Sequence, residues 1–253
     1  MASTYDPDAG SEHVFNRQFH LCEYLENNYS TGDLIKTCPD CSRFFVVCCQ
    51  HSEHRRPLPC HRYRLVFTDG ACLSNGQTAA TSGLGAAIGQ ESYQQSSVPV
   101  DNTVDPGAKR SSQRAELLAA IEGLRLLEFV EGPGDAHHRL YNRHGKPGDE
   151  STVSYNNWII TTDSKYVVDG ITDWLPNKWK PNGMRTFDYR TPANLDLFLT
   201  LHRDINNLER QRDVRIGFWH VPRQHNAIAD RLAKDAAKRA PAASPLRSPN
   251  VAF

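Results

Sequence analysis

Asp69, Glu116, Asp163 and Asp230 are the side chains whose surroundings could support chemistry. Each has an ordinary structural use. Asp69-Gly70 reads as a turn closing a strand, and Asp163-Ser164 as a strand-to-helix turn. Glu116 and Asp230 sit where an acid favours a helix N-terminus. Their positions taken together point elsewhere. Asp69 follows Leu65 and Phe67 in alternation, which puts a carboxylate on a face shared with core residues. All four acids fall at the ends of elements that would meet at one rim of one sheet. Clustered carboxylates repel and raise one another's pKa values. A hard divalent cation with oxygen ligands reconciles them. Mg²⁺ suits best, because it takes few carboxylates and keeps places for water and phosphate oxygens.

The elements that must position these acids are readable from periodicity. Residues 62–73 alternate as a strand, Leu84–Gly89 reads as a second, and a third lies near Tyr93–Val100. Ser111 or Ser112 caps a helix whose Ala115, Leu118, Ala119, Ile121, Leu124 and Leu127 recur at helical spacing. Trp158–Thr162 is a buried-strand pattern ending at Asp163, and Ser164 caps a helix carrying Tyr166, Val167, Ile171 and Trp174. Residues 177–190 read as irregular, and Pro192 and Asn194 open a helix with Leu197, Phe198, Leu201 and Ile205. Val214–Val221 is the last strand, and a last helix runs from about Asn226 to Arg239. Local antiparallel strands followed by alternating helix and strand imply a mixed sheet with helices packed on its faces.

The rest of the chain divides by composition. Residues 1–30 are polar and patternless and are expected to be loose. Residues 31–61 are rich in cysteine and histidine. Residues 62–240 form the main domain, with a Gly/Pro/His-rich exposed insertion at 131–152, and 241–253 are a disordered Pro/Ser tail. Cys38-Pro-Asp-Cys41 is a tight knuckle, and Cys38, Cys41, Cys49 and His54 could supply four ligands to tetrahedral Zn²⁺. The competing reading is that Phe44–Val47 is simply a short buried strand.

Lys+Arg and Asp+Glu are both 29 in 253 residues, so any polyanion must be held by a local patch. Seven cysteines, an odd number, argue against a disulfide framework. No apolar run is long enough to span a bilayer, and the first residues lack the blocks of a secretion signal. An intracellular monomer of nucleus or cytoplasm, with no membrane partner, is the expectation.

Particular motifs carry a resemblance. They are Thr68-Asp69-Gly70-Ala71-Cys72 with Asn75, Ser112-Gln113-Arg114-Ala115-Glu116-Leu117, Thr162-Asp163-Ser164, and Asn226 with Asp230 in Asn226-Ala-Ile-Ala-Asp230-Arg-Leu-Ala. In order, element type and spacing they resemble the type 1 ribonuclease H family over about residues 62–240. The resemblance implies an α/β fold with a mixed five-stranded sheet, three antiparallel strands then parallel ones, and helices on both faces. It implies an endoribonuclease that cuts the RNA strand of RNA–DNA hybrids to leave 5′-phosphates. Two Mg²⁺ ions about 4 Å apart would serve, with Mn²⁺ as a substitute. By similarity Asp69 bridges both ions, Glu116 and Asp230 complete one site, and Asp163 completes the other.

The resemblance also assigns contacts. The backbone near Ala71 and Cys72 and the side chains of Asn75, Ser112 and Gln113 match hybrid-contacting positions, where the 2′-hydroxyl identifies RNA. Ser112 departs from the usual asparagine and offers fewer donors. Lys109, Ser111 and Asn194 match a pocket for a DNA phosphate. Trp174 and Trp179, with Lys180, Asn182, Gly183 and Arg185, resemble an aromatic and basic DNA channel. The other reading of that segment is a solvated loop with two core tryptophans. His225, near the tip of a short loop, is preferred over His220 as the family's mobile histidine. A non-catalytic nucleic-acid-binding module on the same fold, or a retroelement-derived nuclease domain, is the alternative.

Overall fold

The structure is a computed structural model that describes residues 14–47, 62–130, 156–212 and 214–242. Its strands are β1 (Val14–Phe15), β2 (Gln18–Phe19), β3 (Ile35–Thr37), β4 (Phe44–Val46), β5 (Tyr63–Leu73), β6 (Thr81–Ala87), β7 (Gln95–Val100), β8 (Asn156–Thr162) and β9 (Val214–His220). Its helices are α1 (Glu23–Asn28), α2 (Thr31–Leu34), α3 (Ser112–Val130), α4 (Lys165–Asp169), α5 (Leu195–Arg212) and α6 (Ala227–Arg239).

β5 is the axis of the sheet. Its first half pairs in parallel with β8, from Tyr63↔Asn157 to Phe67↔Thr161. Its second half pairs antiparallel with β6, from Phe67↔Ala87 to Leu73↔Thr81. β7 lies antiparallel beyond β6, and β9 lies parallel beyond β8. These are the expected five strands: an antiparallel run of three, then two strands parallel to β5. Asp69 therefore sits where β5 has left β8 and is held by β6 alone.

Two cores cover the two faces. On one, Val66, Ile160, Ile216 and Phe218 pack with Leu117, Ile121 and Leu124 of α3 and with Phe198, Leu201 and Ile205 of α5. On the other, Leu65, Phe67 and Ile159 pack with Ala229 of α6 and with residues from the amino-terminal segment. The alternation along β5 divides its side chains between these cores, as a period of two requires.

The amino-terminal segment differs from expectation. Residues 14–30, read as loose, supply β1, β2 and α1, and β2 pairs with β9 through Gln18↔Phe218. Within the Cys/His-rich stretch, β3 and β4 form a hairpin, and β4 meets β5 at Phe45↔Arg64. Among the described residues the sheet thus has nine strands. The anchors Val14, Phe19, Cys22, Leu25 and Leu34 are buried, but their irregular spacing carries neither a helix nor a strand period. Phe44 and Val46 are buried too, so the short-strand reading of that stretch describes the structure. The 131–152 insertion, the tail from 243, Cys49 and His54 lie outside the described residues.

Helical structure also runs further than expected after α4, as π-helical turns over Gly170–Trp179. Pro176 has no amide to donate, and the amide of Lys180 reaches back to Leu175 O at 3.0 Å. Among the described residues no helix is long and apolar enough to cross a membrane.

Candidate active site

Asp69 is 4% exposed on β5, with Phe67 before it and Gly70 after. Glu116 comes from the other side, on the second turn-forming stretch of α3. The two elements approach so closely that a Cβ on Gly70 would fall 2.1 Å from the carbonyl carbon of Ala115 and 2.2 Å from the nitrogen of Glu116. Gly70 is therefore required by contact between backbones. The closeness lets Glu116 Oε2 accept the Gly70 amide at 3.3 Å, and Glu116 also hydrogen-bonds Asp69. Ser111 holds the start of α3, its Oγ accepting the Arg114 amide at 3.3 Å.

Asp163 follows the last residue of β8, and Ser164 caps α4 by accepting the Val167 amide at 3.4 Å. Asn226, fully buried between β9 and α6, fixes this acid in place. Its Nδ2 donates to Asp163 Oδ1 at 2.7 Å and to the Thr68 carbonyl at 3.0 Å, tying β5 to the end of β8. Asp230 lies one turn into α6. That helix lies directly on β6: a Cβ on Gly83 would fall 2.1 Å from Ala237 N, and one on Gly85 2.2 Å from Ala229 O. The stripe Ala229, Ala233, Ala236 and Ala237 is buried in this contact.

The four acids feel one another. Burial pushes Asp69 up to about 6, with the charges of Asp163 and Asp230 adding to it. Burial, then the charges of Asp69 and Asp163, pushes Glu116 up to about 9. Burial opposes ionisation of Asp230 as well, yet hydrogen bonding from Lys234 and the charge of Arg223 hold it below the usual carboxylate range. Asp230 Oδ2 accepts Lys234 Nζ at 2.7 Å, and Asp230 Oδ1 accepts Arg223 Nη2. Arg223 Nη1 lies 3.6 Å from Asp163 Oδ2. As the side chains stand, no group of three or more His, Cys, Asp or Glu side chains among the described residues is gathered closely enough to hold an ion.

Sequence reasoning missed Arg223. The signal was faint: it is the basic residue of the loop before Asp230. His225 meets Gln224 and the Gly32 backbone. Its Nε2 lies 3.2 Å from Gln224 Nε2, and its Cε1 would be 3.0 Å from a Cβ on Gly32.

The other expected residues fall in separate groups. Ala71 and Cys72 end β5 half-buried, and Asn75 is exposed in the turn beyond. Ser112 and Gln113 open α3 beside Glu116. Lys109 is exposed, and the Ser111 hydroxyl is engaged in its cap. Asn194, at φ 55°, donates to Tyr166 Oη at 3.1 Å and faces Arg114 Nη1 at 3.5 Å. Arg114 itself is clamped between Asp105 and Asp196. Trp174 and Trp179 have ring centroids 5.9 Å apart, and Trp179 stacks edge-on against Phe198 at 5.2 Å. Both belong to an aromatic cluster on the α5 side. The exposed aromatics of the segment that follows are instead Phe187 and Tyr189, 99% and 71% exposed beside Arg185 and Arg190.

Comparison with known proteins shows the family. The RNase H family model matches residues 61–238. Human ribonuclease H1 is 27% identical over 179 residues, covering 69% of this chain and 50% of that protein. Ribonuclease H of Schizosaccharomyces pombe is 28% identical over 186 residues, covering 73% and 56%. Ribonuclease H of Vibrio cholerae is 30% identical over 174 residues, covering 68% and 87%. The chain spans about half the length of the human and fission-yeast relatives. The span matched by the family model contains β5 to β9, the helices between them, and all four acids, and on this ground the chain belongs to the RNase H family.

Proposed function

We propose that this chain hydrolyses the RNA strand of RNA–DNA hybrids, as an endonuclease leaving 5′-phosphates. The observation that carries it is the meeting of Asp69, Glu116, Asp163 and Asp230 at the end of β5, from both faces of the sheet. In its chemistry the donor set suits a hard divalent cation, although the side chains as they stand are not gathered around one. It is made of oxygens only, and burial first, with the charges of neighbouring acids second, raises two of the four pKa values. Mg²⁺, or Mn²⁺ in its place, would be held by these four acids and would supply charge stabilisation for the attacking water and the leaving 3′ oxygen.

The chain's own residues do the rest. The buried Asn226 holds Asp163 to β5, so the acid keeps its aim without a ligand. The contact between Gly70 and α3 sets Ser112 and Gln113 beside Glu116, where they would read 2′-hydroxyls across the minor groove. Asn75 and the backbone at Ala71 and Cys72 line the same end of β5. The DNA strand would be gripped by Lys109 and Asn194, and by Arg185 and Arg190 with the exposed rings of Phe187 and Tyr189. Because Trp174 and Trp179 pack inward, they would support this surface from beneath.

A labelled RNA–DNA hybrid with Mg²⁺, set beside duplex DNA, duplex RNA and single strands, tests the reading. Cleavage confined to the RNA of the hybrid, abolished in Asp163→Asn, is expected. Hybrid binding without cleavage assigns the chain to a non-catalytic role. His225 is retained as a candidate for proton transfer, and unchanged turnover across pH in His225→Ala removes it. Zn²⁺ on Cys38, Cys41, Cys49 and His54 is a separate proposal, supported by the hydrogen bond between the first two thiols. Metal analysis of the purified chain decides it. Free thiols at Cys22, Cys38, Cys41 and Cys72 support a reducing, intracellular setting, and a solution mass of one chain would support a monomer.

A further inference from the structure

We propose that Arg223 is a resident counter-ion of Asp163 and Asp230, and that a divalent cation must displace its guanidinium to bind. The inference rests on the reading of these two acids as metal ligands.

All four oxygens of the two carboxylates are engaged by the chain's own donors. Asp163 Oδ1 accepts Asn226 Nδ2 at 2.7 Å, and its Oδ2 faces Arg223 Nη1 at 3.6 Å. Asp230 Oδ1 accepts Arg223 Nη2, and its Oδ2 accepts Lys234 Nζ at 2.7 Å. A hard cation needs those same oxygens. Among the described residues, Arg223 is the cation that reaches both carboxylates. Its planar fork spans both carboxylates, which the single ammonium of Lys234 does not.

The backbone around Arg223 is fixed while its side chain is loose. Arg223–His225 forms one 3-10 turn, with the His225 amide on Pro222 O at 2.8 Å and the Asn226 amide on Arg223 O at 2.9 Å. Asn226 is buried and shared with β5. The Arg223 side chain, by contrast, is 67% exposed. It can leave for solvent without opening any packed surface. Exposed ion pairs are individually weak, so the barrier it sets against a metal amounts to a factor of about three to ten in affinity. Asn226 and Lys234 stay put for different reasons: the first is locked in the core, and the second lies one turn along α6 from Asp230 and meets it alone.

Calorimetric titration of the full chain with Mn²⁺, without nucleic acid and at fixed ionic strength, tests this directly. Arg223→Ala is expected to bind about three- to tenfold more tightly than the wild type. Arg223→Lys, which keeps a charge but loses the fork, falls between them. Without metal, Arg223→Ala melts below the wild type, since it removes the charge shared by the two acids and leaves only Lys234 on Asp230 and Asn226 on Asp163, and saturating Mg²⁺ closes that gap. Equal Mn²⁺ affinity in wild type and Arg223→Ala overturns the inference and leaves the nuclease reading standing. Weaker binding in the variant also overturns it. Weaker hybrid binding with unchanged Mn²⁺ affinity places Arg223 on the nucleic acid instead. If no Mn²⁺ binding is lost in Asp69→Asn, both readings fall together.

Discussion

Glu116 and Asp69 are placed where their charge is unwelcome. Glu116 is pushed from 4.5 up to about 9, and Asp69 from 3.8 up to about 6, by burial first and by neighbouring acids second. Between about 4.5 and about 9 the folded metal-free protein then binds more protons than the unfolded chain, so its stability falls as pH rises through that window. Glu116→Gln and Asp69→Asn remove the penalty. Each is expected to raise metal-free stability by on the order of 1 kcal/mol near pH 8, and by less near pH 5, in urea titrations at the two pH values. A gain that does not shrink on acidification would sink this account. Asn226 is the opposite case, a neutral group that must stay neutral. Its Nδ2 holds Asp163 and Thr68 O, while its Oδ1 is buried without a hydrogen-bond partner. Asn226→Asp would set a buried carboxylate against Asp163, and a loss of about 3 kcal/mol or more is expected by the same titration. Asn226→Ala, which only breaks the ties, is expected to cost about 1–3 kcal/mol.

At the level of elements, the site depends on two places where a helix touches a strand through glycine. The first is Gly70 against α3, where a methyl group would overlap backbone at 2.1 Å. Flexible side chains cannot relieve that overlap, so α3 must move and take Glu116 with it. Gly70→Ala is expected to cost about 3 kcal/mol or more by thermal melting, with divalent-metal affinity lost in whatever fraction still folds. Melting close to wild type would show that the helix has room to shift. The second is Gly83 and Gly85 against α6. These contacts explain what the sequence could and could not disclose. The strand at β5 and the helix at α3 were legible because alternation and 3.6-residue spacing are local signals. The meeting of the four acids was legible because each ends such an element. That Gly70 serves a close approach was not, since its Asp-Gly context reads equally as a turn. Arg223 was hidden for a related reason. Its contact with Asp163 joins residues far apart in the chain through one flexible side chain, and no periodicity reports that. Trp174 and Trp179 were ambiguous because the same residue type suits a core and a stacking platform.

For the molecule as a whole, the amino-terminal segment completes the fold and is packed as part of it. Val14, Phe19, Leu25, Leu34, Phe44 and Val46 are all buried with Tyr63, Leu65, Phe67 and Ile159 in the core on one face of the sheet. Arg17 adds a clamp to α5, its guanidinium on Glu209 at 3.1 Å and on Asn206 at 2.6 Å. Glu209 in turn accepts the Ile216 amide at 3.0 Å, so the same carboxylate holds β9. Burying six such side chains contributes on the order of 10 kcal/mol, which is comparable with the total stability of a domain. Removing the segment also strips β4 from one edge of β5 and β2 from β9, and so exposes strand edges that invite aggregation. A fragment starting at residue 62 therefore contains every candidate catalytic acid and yet is expected to be insoluble or to lack a cooperative melting transition. Co-expression of residues 1–61 as a separate chain is expected to restore soluble material. If the fragment alone melts cooperatively within a few degrees of the full chain, the segment is an accessory, and the added strands contribute little to the sheet that carries the site.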